Sequence, residues 1–295
     1  MELDLAQLDR SANGSDLLRA EICIIGAGIA GLTLAHKLVA LGHDVLVLES
    51  GGHAPEFFTA IEQAGHPHPG TSEPRPRAVG GTSLTWGGQL LPLPADAEWP
   101  LSAADIAALA TEAEDLLGVD SLPYDAPEFF SRIGEPSPAV LAQVPELTGT
   151  LSKFIPFSRR NLAQTLGRTL RTHSKARIAI HAHVTELIHA STGDHIEAVL
   201  VRTPDEAVHR VQAAQFVVAA GTIETVRLLL ASQSARPGGI GNEHDQVGRN
   251  FHDHLTVTAA AVGEPARTQL LAAMRPWIYQ GTFHSLKLSA SRQLQ

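Results

Sequence analysis

The chain has 295 residues, of which 44% are hydrophobic and 18% are charged, and its formal net charge is −9 at pH 7. This length allows one large or two modest domains with a buried core, and this composition excludes an intrinsically disordered chain. The acidic balance argues against a nucleic-acid partner.

The first predicted element is a loose leader or short helix over residues 1–19. Residues 1–18 lack the basic and apolar regions of a secretory signal peptide. The apolar runs of the sequence are shorter than the roughly 20 residues that span a bilayer. The single cysteine, Cys23, fits a reducing compartment. We therefore expect a cytoplasmic protein without a membrane span.

Residues 21–25 and 44–49 are apolar runs that predict strands, and residues 29–41 between them predict a helix. Continuous apolar runs are typical of parallel strands that are covered on both faces. Together the three segments predict a βαβ unit.

A long loop is expected over residues 51–77, where proline and glycine interrupt any regular pattern. Ser102 then predicts the start of a helix that runs to about residue 117, with Asp105 as the acid of a capping box. Residues 123–145 are rich in proline and are expected to form an excursion over the surface.

The second half of the chain is predicted to begin with a helix and an antiparallel meander. The predicted elements are a helix over 161–173, strands over 177–189, 196–202, 207–213 and 216–220, a helix over 224–232, and strand-like runs over 256–262 and 285–288. The predicted fold class is α/β, with a Rossmann-like parallel sheet, an antiparallel meander and an incomplete antiparallel second domain.

A G-x-G-x-x-G sequence joins the first predicted strand to the first helix. Its residues are Gly26, Ala27, Gly28, Ile29, Ala30 and Gly31. In a dinucleotide site the first glycine allows the tight turn, the second lets a pyrophosphate approach the backbone, and the third lets the helix pack closely on the sheet. The free N–H groups and the dipole of the helix N-terminus favour the phosphates.

Glu49 and Ser50 end the second predicted strand, at the position of the acid that binds the adenosine ribose. We expect the Glu49 carboxylate to accept hydrogen bonds from both ribose hydroxyls. A carboxylate there repels a 2′-phosphate, which disfavours NADP. The fingerprint alone leaves FAD and NAD open.

Three further segments indicate which of the two cofactors is bound, because they resemble the signatures of a known family. Residues 77–88 read RAVGGTSLTWGG, residues 217–229 read VVAAGTIETVRLL, and residues 247–254 read VGRNFHDH. They resemble, in order, the second, third and fourth signatures of the glucose–methanol–choline (GMC) flavoprotein oxidoreductases. The resemblance is strongest to the bacterial branch that includes sugar-acid and fructose dehydrogenases and pyranose oxidases. The chain is therefore expected to bind FAD.

The resemblance also implies which residues contact FAD. These are Gly80, Gly81, Thr82, Ser83, Trp86 and Gly87 along the flavin, the backbone of Val184 at the adenine, and Ala220 and Gly221 over the ADP moiety. Paired glycines suit the close approach of a flat ring, and the hydroxyls of Thr82 and Ser83 can bond to its edge. Thr85 occupies the position at which some relatives carry a histidine bonded to the flavin, so FAD is expected to be non-covalent.

The resemblance implies hydride transfer from a substrate CH–OH group to flavin N5, with a histidine base from the C-terminal part of the family's chains. Residues 255–295 match none of that part, so no catalytic residue is assigned. Neighbouring strand residues face opposite ways, so Asp253 is not expected to orient the histidines on either side of it. His181 and His183 would need a third metal ligand, and none is identified, so no metal site is predicted.

The predicted organisation is a leader over 1–19, an FAD-binding domain over 20–254 and the start of a truncated substrate domain over 255–295. An excursion over about 88–155 is assigned to either domain. The first hypothesis is an FAD-dependent enzyme that oxidises an alcohol, a sugar or a sugar acid and passes electrons to a quinone, a cytochrome or another acceptor. The alternatives are an inactive N-terminal fragment of such an enzyme with weak or no FAD binding, and an NAD-dependent dehydrogenase. A C-terminal half or partner subunit is a possible partner of the chain.

Overall fold

The computed structural model forms two compact units. The first unit consists of Met1–Thr85 with Asn161–Asp253, and the second of Trp86–Arg160 with His254–Gln295. The structure describes residues 1–7, 18–57, 68, 75–93, 99–190, 192–234, 236–253, 257–258, 261–264 and 266–291. Within these ranges every helix is too short or too polar to cross a membrane.

The described residues contain strands and helices throughout both units. The strands are β1 (Glu2–Asp4), β2 (Arg19–Ile25), β3 (Val45–Leu48), β4 (Glu56–Phe57), β5 (Pro76–Arg77), β6 (Gln89–Leu90), β7 (Leu147–Phe154), β8 (Ala176–Ile180), β9 (His183–His189), β10 (Ile196–Arg202), β11 (Val208–Val218), β12 (Trp277–Tyr279) and β13 (Thr282–Ala290). The helices are α1 (Ile29–Ala40), α2 (Ala103–Leu117), α3 (Ala126–Ile133), α4 (Ala139–Gln143), α5 (Leu166–Thr172), α6 (Thr222–Ala231) and α7 (Ala266–Ala273).

The first unit is built on a seven-stranded sheet in the order β1-β8-β3-β2-β11-β10-β9. The strands from β1 to β11 in this order are parallel, whereas β11, β10 and β9 form the antiparallel meander. Cys23, Leu48 and Val199 belong to a hydrophobic core that includes residues of both parts of the sheet. The predicted α/β fold, with its βαβ unit, is confirmed. The meander is confirmed as well, but the strand predicted over 177–189 is two strands, because β8 pairs in parallel with β1 and β3 and only β9 pairs with β10.

Several predicted elements of this unit differ from the structure. Residues 2–4 are not part of a loose leader or helix but pair with β8, where Leu3 joins the core. The predicted strands over 207–213 and 216–220 are one strand, because Val208–Val218 pairs with β10 first and then with β2. The helix predicted over 161–173 is confined to Leu166–Thr172. The predicted loop contains two short strands, because β4 pairs with β5 in antiparallel orientation.

The second unit contains a four-stranded antiparallel sheet in the order β12-β13-β7-β6. α3 packs against β7 through a core that includes Phe129, Phe130, Leu151 and Leu286. Residues 123–145 are predicted to form an excursion over the surface, but they contain α3 and α4, and Phe129 and Phe130 of α3 are buried in this core. Proline at the second position of α3 is compatible with a helix, because the first turn donates no intrahelical bond there.

Two other predictions in this unit have definite outcomes. Ser102 caps α2 and forms the expected capping box with Asp105. The strand-like run over 285–288 lies inside β13. The run over 256–262 lies partly outside the described residues, and residues 257–258 and 261–262 are not in a strand.

A buried charged cluster lies between the sheet of the second unit and α2. Lys153 is fully buried, and its Nζ donates to Glu114 Oε1 at 2.6 Å and to the Asp120 carbonyl oxygen at 2.7 Å. The Asp120 carboxylate lies 3.6 Å from Lys153 Nζ and 3.0 Å from Nε2 of His284, the cross-strand neighbour of Lys153. The Tyr124 ring centroid is 4.4 Å from Lys153 Nζ.

Candidate functional site

The first unit contains a cavity of about 900 Å³ at the carboxyl ends of β2, β3 and β11. Ligands of open parallel sheets bind at this edge, and the volume lies in the usual range of roughly 300–1,000 Å³ for small-molecule sites. The predicted residues that line the cavity are Gly26, Gly28, Ile29, Ala30, Glu49, Ser50, Gly81, Thr82, Val184, Ala220 and Gly221.

The turn between β2 and α1 uses its three glycines differently. A Cβ atom on Gly31 would lie 1.9 Å from the Gly26 carbonyl oxygen, and one on Gly26 would lie 2.6 Å from the Ala219 carbonyl oxygen. A Cβ atom on Gly28, in contrast, would meet nothing within 4 Å. Gly26 and Gly31 are therefore required by the packing of the fold, whereas the bareness of Gly28 leaves the cavity open.

The start of α1 provides donors at the same place. Gly28 is the N-cap residue and offers no side-chain hydrogen bond to the first turn. The N–H groups of such a turn, and the positive end of the helix dipole, favour an anion such as a diphosphate. Gly28 itself faces the cavity, so a phosphate could approach these donors directly.

Residues 80–83, which are predicted to contact the flavin, pack against the turn between β2 and α1. This turn, residues 26–31, is called the phosphate turn below. The N–H of Gly80 donates to the Ala27 carbonyl oxygen at 2.8 Å, and a Cβ atom on Gly81 would lie 2.8 Å from Gly28 Cα. Gly81 and Thr82 line the cavity. Gly80 does not line it, and its bond to Ala27 holds the turn in place. The missing side chain of Gly81 thus lets the two backbone segments meet.

Ser83 requires a correction. Its hydroxyl was expected at the flavin edge, but the residue is buried and does not line the cavity. Ser83 Oγ donates to the Gly80 carbonyl oxygen at 2.6 Å and accepts from the N–H of Leu162 at 3.1 Å. These bonds use the hydroxyl inside the protein, where it ties the segment 81–84 to the chain before α5.

Glu49 lines the cavity although it is only 6% exposed. Oε2 accepts from the N–H of Ala27 at 3.0 Å, while Oε1 accepts from the N–H of Gly51 at 2.9 Å and from Ser50 Oγ at 3.3 Å. Burial raises the pKa of the Glu49 carboxyl above its ordinary value, and these three donors offset that effect only in part. The carboxylate thus links the strand end to the phosphate turn.

The hydrogen bonds that Glu49 already accepts limit how many it can offer to a ribose. Each carboxylate oxygen accepts about two hydrogen bonds. Oε1 already accepts two and Oε2 accepts one, so one acceptor position remains. One ribose hydroxyl could occupy it, and a second would have to replace the Ser50 hydroxyl.

Two other predicted contacts, Trp86 and Gly87, belong to the second unit. There the indole N–H of Trp86 donates to the Arg160 carbonyl oxygen at 2.9 Å, and Gly87 is exposed. Gly31 and Gly80 belong to the first unit but do not line its cavity. The roles of these residues toward a cofactor stay predictions.

Sequence reasoning did not assign several polar residues that line the cavity. These are His68, Arg75, Arg77, His183, Glu224, Arg227, His252 and Asp253. His68 Nε2 lies 3.1 Å from Asp253 Oδ2, and the His68 ring contacts Phe251 edge-on. His181, considered as a metal ligand with His183, instead pairs with Asp4 at 2.7 Å. His254 lies outside the described residues.

Two family models match the chain. The model described as FAD dependent oxidoreductase matches residues 21–129, and the model described as GMC oxidoreductase matches residues 158–256. The chain resembles the GMC oxidoreductases over residues 158–256. The resemblance inferred from the sequence signatures is therefore confirmed, and the model that matches residues 21–129 is described as FAD dependent.

Curated relatives match over shorter segments. The fructose dehydrogenase large subunit of Gluconobacter japonicus is 48% identical over 62 residues, which are 21% of this chain and 11% of that protein. The 2-methyl-1,2-propanediol dehydrogenase of Mycolicibacterium austroafricanum is 33% identical over 108 residues, which are 36% of this chain and 18% of that protein. The matched segments thus span less than a fifth of either relative.

Solved structures show partial likeness. A fungal aryl-alcohol oxidase matches with a TM-score of 0.47 and 16% identity, covering 72% of this chain and 47% of that chain. Pyridoxine 4-oxidase from Mesorbium loti matches with a TM-score of 0.47 and 19% identity, covering 72% of this chain and 52% of that chain. The chain spans about half the length of these structures.

Proposed function

We propose that this chain binds FAD without a covalent link and serves a GMC-type oxidoreductase that acts on the CH–OH group of an alcohol, a sugar or a sugar acid. The observation that carries the proposal is the open approach to Gly28 beside the buried Glu49 carboxylate, at the edge of a parallel sheet. When bound, FAD supplies the acceptor for the substrate's hydride.

The residues of the cavity fit the ADP part of FAD. The first turn of α1 would hold the diphosphate, with the helix dipole contributing about 0.3–2 kcal/mol. Glu49 Oε2 would accept from a ribose hydroxyl, and the backbone of Val184 would contact the adenine. Most of the affinity must come from burying the rest of the cofactor, because these polar terms are small.

The non-covalent link is proposed from the chemistry of Thr85. This residue is exposed, and its hydroxyl donates to the Thr82 carbonyl oxygen at 3.4 Å. A threonine hydroxyl at this position cannot form the histidyl bond that some relatives make. FAD should therefore leave the protein when the fold is destroyed.

The substrate and partner classes are also proposals. Two relatives are named as dehydrogenases of fructose and of 2-methyl-1,2-propanediol, both of which carry hydroxyl groups, and this supports a CH–OH donor. One of them is named a large subunit, which supports a partner subunit for this chain. The electron acceptor, as a quinone, a cytochrome or another molecule, and the cytoplasmic location stay predictions.

The first test is whether flavin co-purifies with the chain. We expect yellow protein that releases its flavin into the supernatant on acid precipitation. Flavin that stays in the acid pellet would overturn the non-covalent link, and colourless protein that binds NADH would overturn the assignment of FAD.

The second test separates cofactor binding from activity. The flavin-loaded chain is mixed with candidate alcohols, sugars and sugar acids and with an artificial electron acceptor. Turnover supports a complete oxidoreductase within this chain. Bound flavin without turnover supports the alternative in which the chain binds the cofactor and needs a further segment or subunit for catalysis.

A further inference from the structure

Residues 75–77 form hydrogen bonds to two different parts of the cavity lining. Arg77 Nη2 donates to the Ser50 carbonyl oxygen at 3.2 Å, next to the acid at the end of β3. Arg75 Nη2 donates to Glu224 Oε1 at 2.6 Å, in the first turn of α6. Glu224 is 149 residues from Arg75 in sequence, so the pair joins parts of the unit that the chain does not connect locally.

The Arg75–Glu224 ion pair is partly buried, and its carboxylate is ionised at neutral pH. The two side chains are only 17% and 16% exposed, and Arg227 Nε contacts the second oxygen of Glu224 at 2.7 Å. Burial would raise the pKa of Glu224, but Arg227 and Arg75 outweigh it and hold the pKa below its ordinary value. Glu224 is therefore ionised at neutral pH, and a charge-assisted bond to an arginine is among the stronger hydrogen bonds of proteins.

The position of the pair along the cavity follows from the other contacts. If the diphosphate lies at Gly28 and the ribose at Glu49, the adenine lies beyond Glu49, toward Val184. α6, which carries Glu224, packs against β9, which carries Val184. Glu224 is also close enough to His183, the neighbour of Val184, to affect its pKa, although burial is the main cause that lowers it.

We propose that the Arg75–Glu224 ion pair closes the adenosine end of the cavity and slows the release of FAD. This inference rests on the proposed function, because it assumes that FAD occupies the cavity. Arg75 and Glu224 act as positioning residues: they hold segment 75–77 against α6. Release of the cofactor would require this contact to open, so its loss should affect dissociation more than the fold.

The test measures the rate at which FAD leaves the flavin-loaded chain, from the rise of free-flavin fluorescence after dilution. Glu224→Gln and Arg75→Gln are each expected to speed release about tenfold, since affinity changes within one site mostly appear in the dissociation rate. The double variant should release FAD no faster than Glu224→Gln alone, because that variant already weakens the bond to Arg75 as well as the contact with Arg227. Arg75→Lys should recover part of the retention.

The matched control is the ion pair formed by Arg210 and Glu197. It belongs to the same unit but is exposed and does not line the cavity. Arg210→Gln and Glu197→Gln should leave the release rate unchanged. Urea unfolding of the flavin-free chain, followed by circular dichroism, should show that Glu224→Gln and Arg75→Gln lose less unfolding free energy than the roughly 1.4 kcal/mol that corresponds to a tenfold change in release.

The outcomes separate the two proposals. If the wild-type chain holds FAD and the cavity variants release it at the wild-type rate, the closing role of the pair is wrong and the proposed function stands. Faster release accompanied by an equally large loss of urea stability would show a merely structural role. If the wild-type chain holds no flavin, both proposals fail.

Discussion

Glu49 in the first unit and Asp120 in the second are both buried carboxylates, but their surroundings differ. Glu49 is held by neutral donors, two backbone N–H groups and the Ser50 hydroxyl, and it faces an open cavity. Burial is the dominant effect there and raises its pKa. Its charge is only partly compensated by the protein.

Asp120 shows the opposite balance. Burial would raise its pKa, but the bonds from His284, from the N–H of Leu122 and from Thr282 outweigh burial and lower the pKa to about 2. Lys153 lies 3.6 Å away and is shared with Glu114. The charged side chains of this cluster in the second unit are thus paired with one another.

This difference in surroundings indicates the role of each carboxylate. A buried carboxylate with spare accepting capacity beside a cavity can gain a hydrogen bond from a ligand. A carboxylate next to an ammonium group, a histidine ring and a backbone N–H has little to gain from a ligand, so its role is in stability. Buried ion pairs contribute little net stability over apolar residues, but removing one partner is costly.

The largest expected effect is therefore the loss of a cation from the cluster in the second unit. Lys153→Met leaves Glu114 and Asp120 buried without their shared ammonium group, which should cost about 3–5 kcal/mol of unfolding free energy. Urea unfolding followed by tryptophan fluorescence measures this, because all three tryptophans of the chain belong to the second unit.

Lys287→Met serves as the control, because Lys287 lies on the same sheet and is not among the contacts of the cluster. It should change the unfolding free energy by no more than about 0.5 kcal/mol. Adding Glu114→Gln to Lys153→Met should restore part of the loss. Equal stability of the two lysine variants would contradict a stabilising role for the charged cluster.

The second prediction compares two glycines of the phosphate turn. Gly31→Ala places a Cβ atom 1.9 Å from the Gly26 carbonyl oxygen, so α1 must shift. Overpacking of this kind costs about 1–3 kcal/mol, measured as urea unfolding of the flavin-free chain by circular dichroism. Gly28→Ala points into open space and should change that stability by less than about 0.5 kcal/mol.

Affinity for FAD should separate the same two variants in a different way. The added methyl group of Gly28→Ala occupies the approach of the diphosphate, so titration followed by flavin fluorescence should show at least about tenfold weaker binding. Wild-type affinity in a stable Gly28→Ala variant would mean that the diphosphate does not approach the backbone there.

Local sequence signals predicted the framework of the first unit. Apolar runs around Cys23 and Leu46 mark buried parallel strands, and glycines at fixed spacing mark the turn. These features depend on residues close together in the chain. The fold class, βαβ unit and meander follow from them, as does the presence of Glu49 at a strand end.

What the sequence did not predict depends on distant partners. β7 was missed because its buried Lys153 contradicts the expected pattern of an interior strand until His284, Glu114 and Asp120 surround it. The use of Ser83 inside the fold depends likewise on the N–H of Leu162, 79 residues away. Neither partner can be identified from local spacing.

The smallest predicted effect is a pH dependence that has opposite signs in the two units. Asp120 has a lowered pKa, so its contribution to stability is present above its ordinary value of 3.8 and is lost as the pH falls toward about 2. Glu49 has a raised pKa, so its contribution is present below its ordinary value of 4.5 and is lost as the pH rises through the raised value.

Two isosteric variants isolate these dependences in the flavin-free chain. The advantage of the wild type over Asp120→Asn should shrink as the pH falls from about 4 to about 2, because the folded Asp120 then becomes protonated. The wild type should lose stability relative to Glu49→Gln as the pH rises above about 4.5, because the amide does not ionise. Urea midpoints at each pH measure both differences. If both stability differences changed in the same direction with pH, the protein would compensate the charges of the two carboxylates alike. That would contradict the inference that Glu49 gains a hydrogen bond from a ribose hydroxyl.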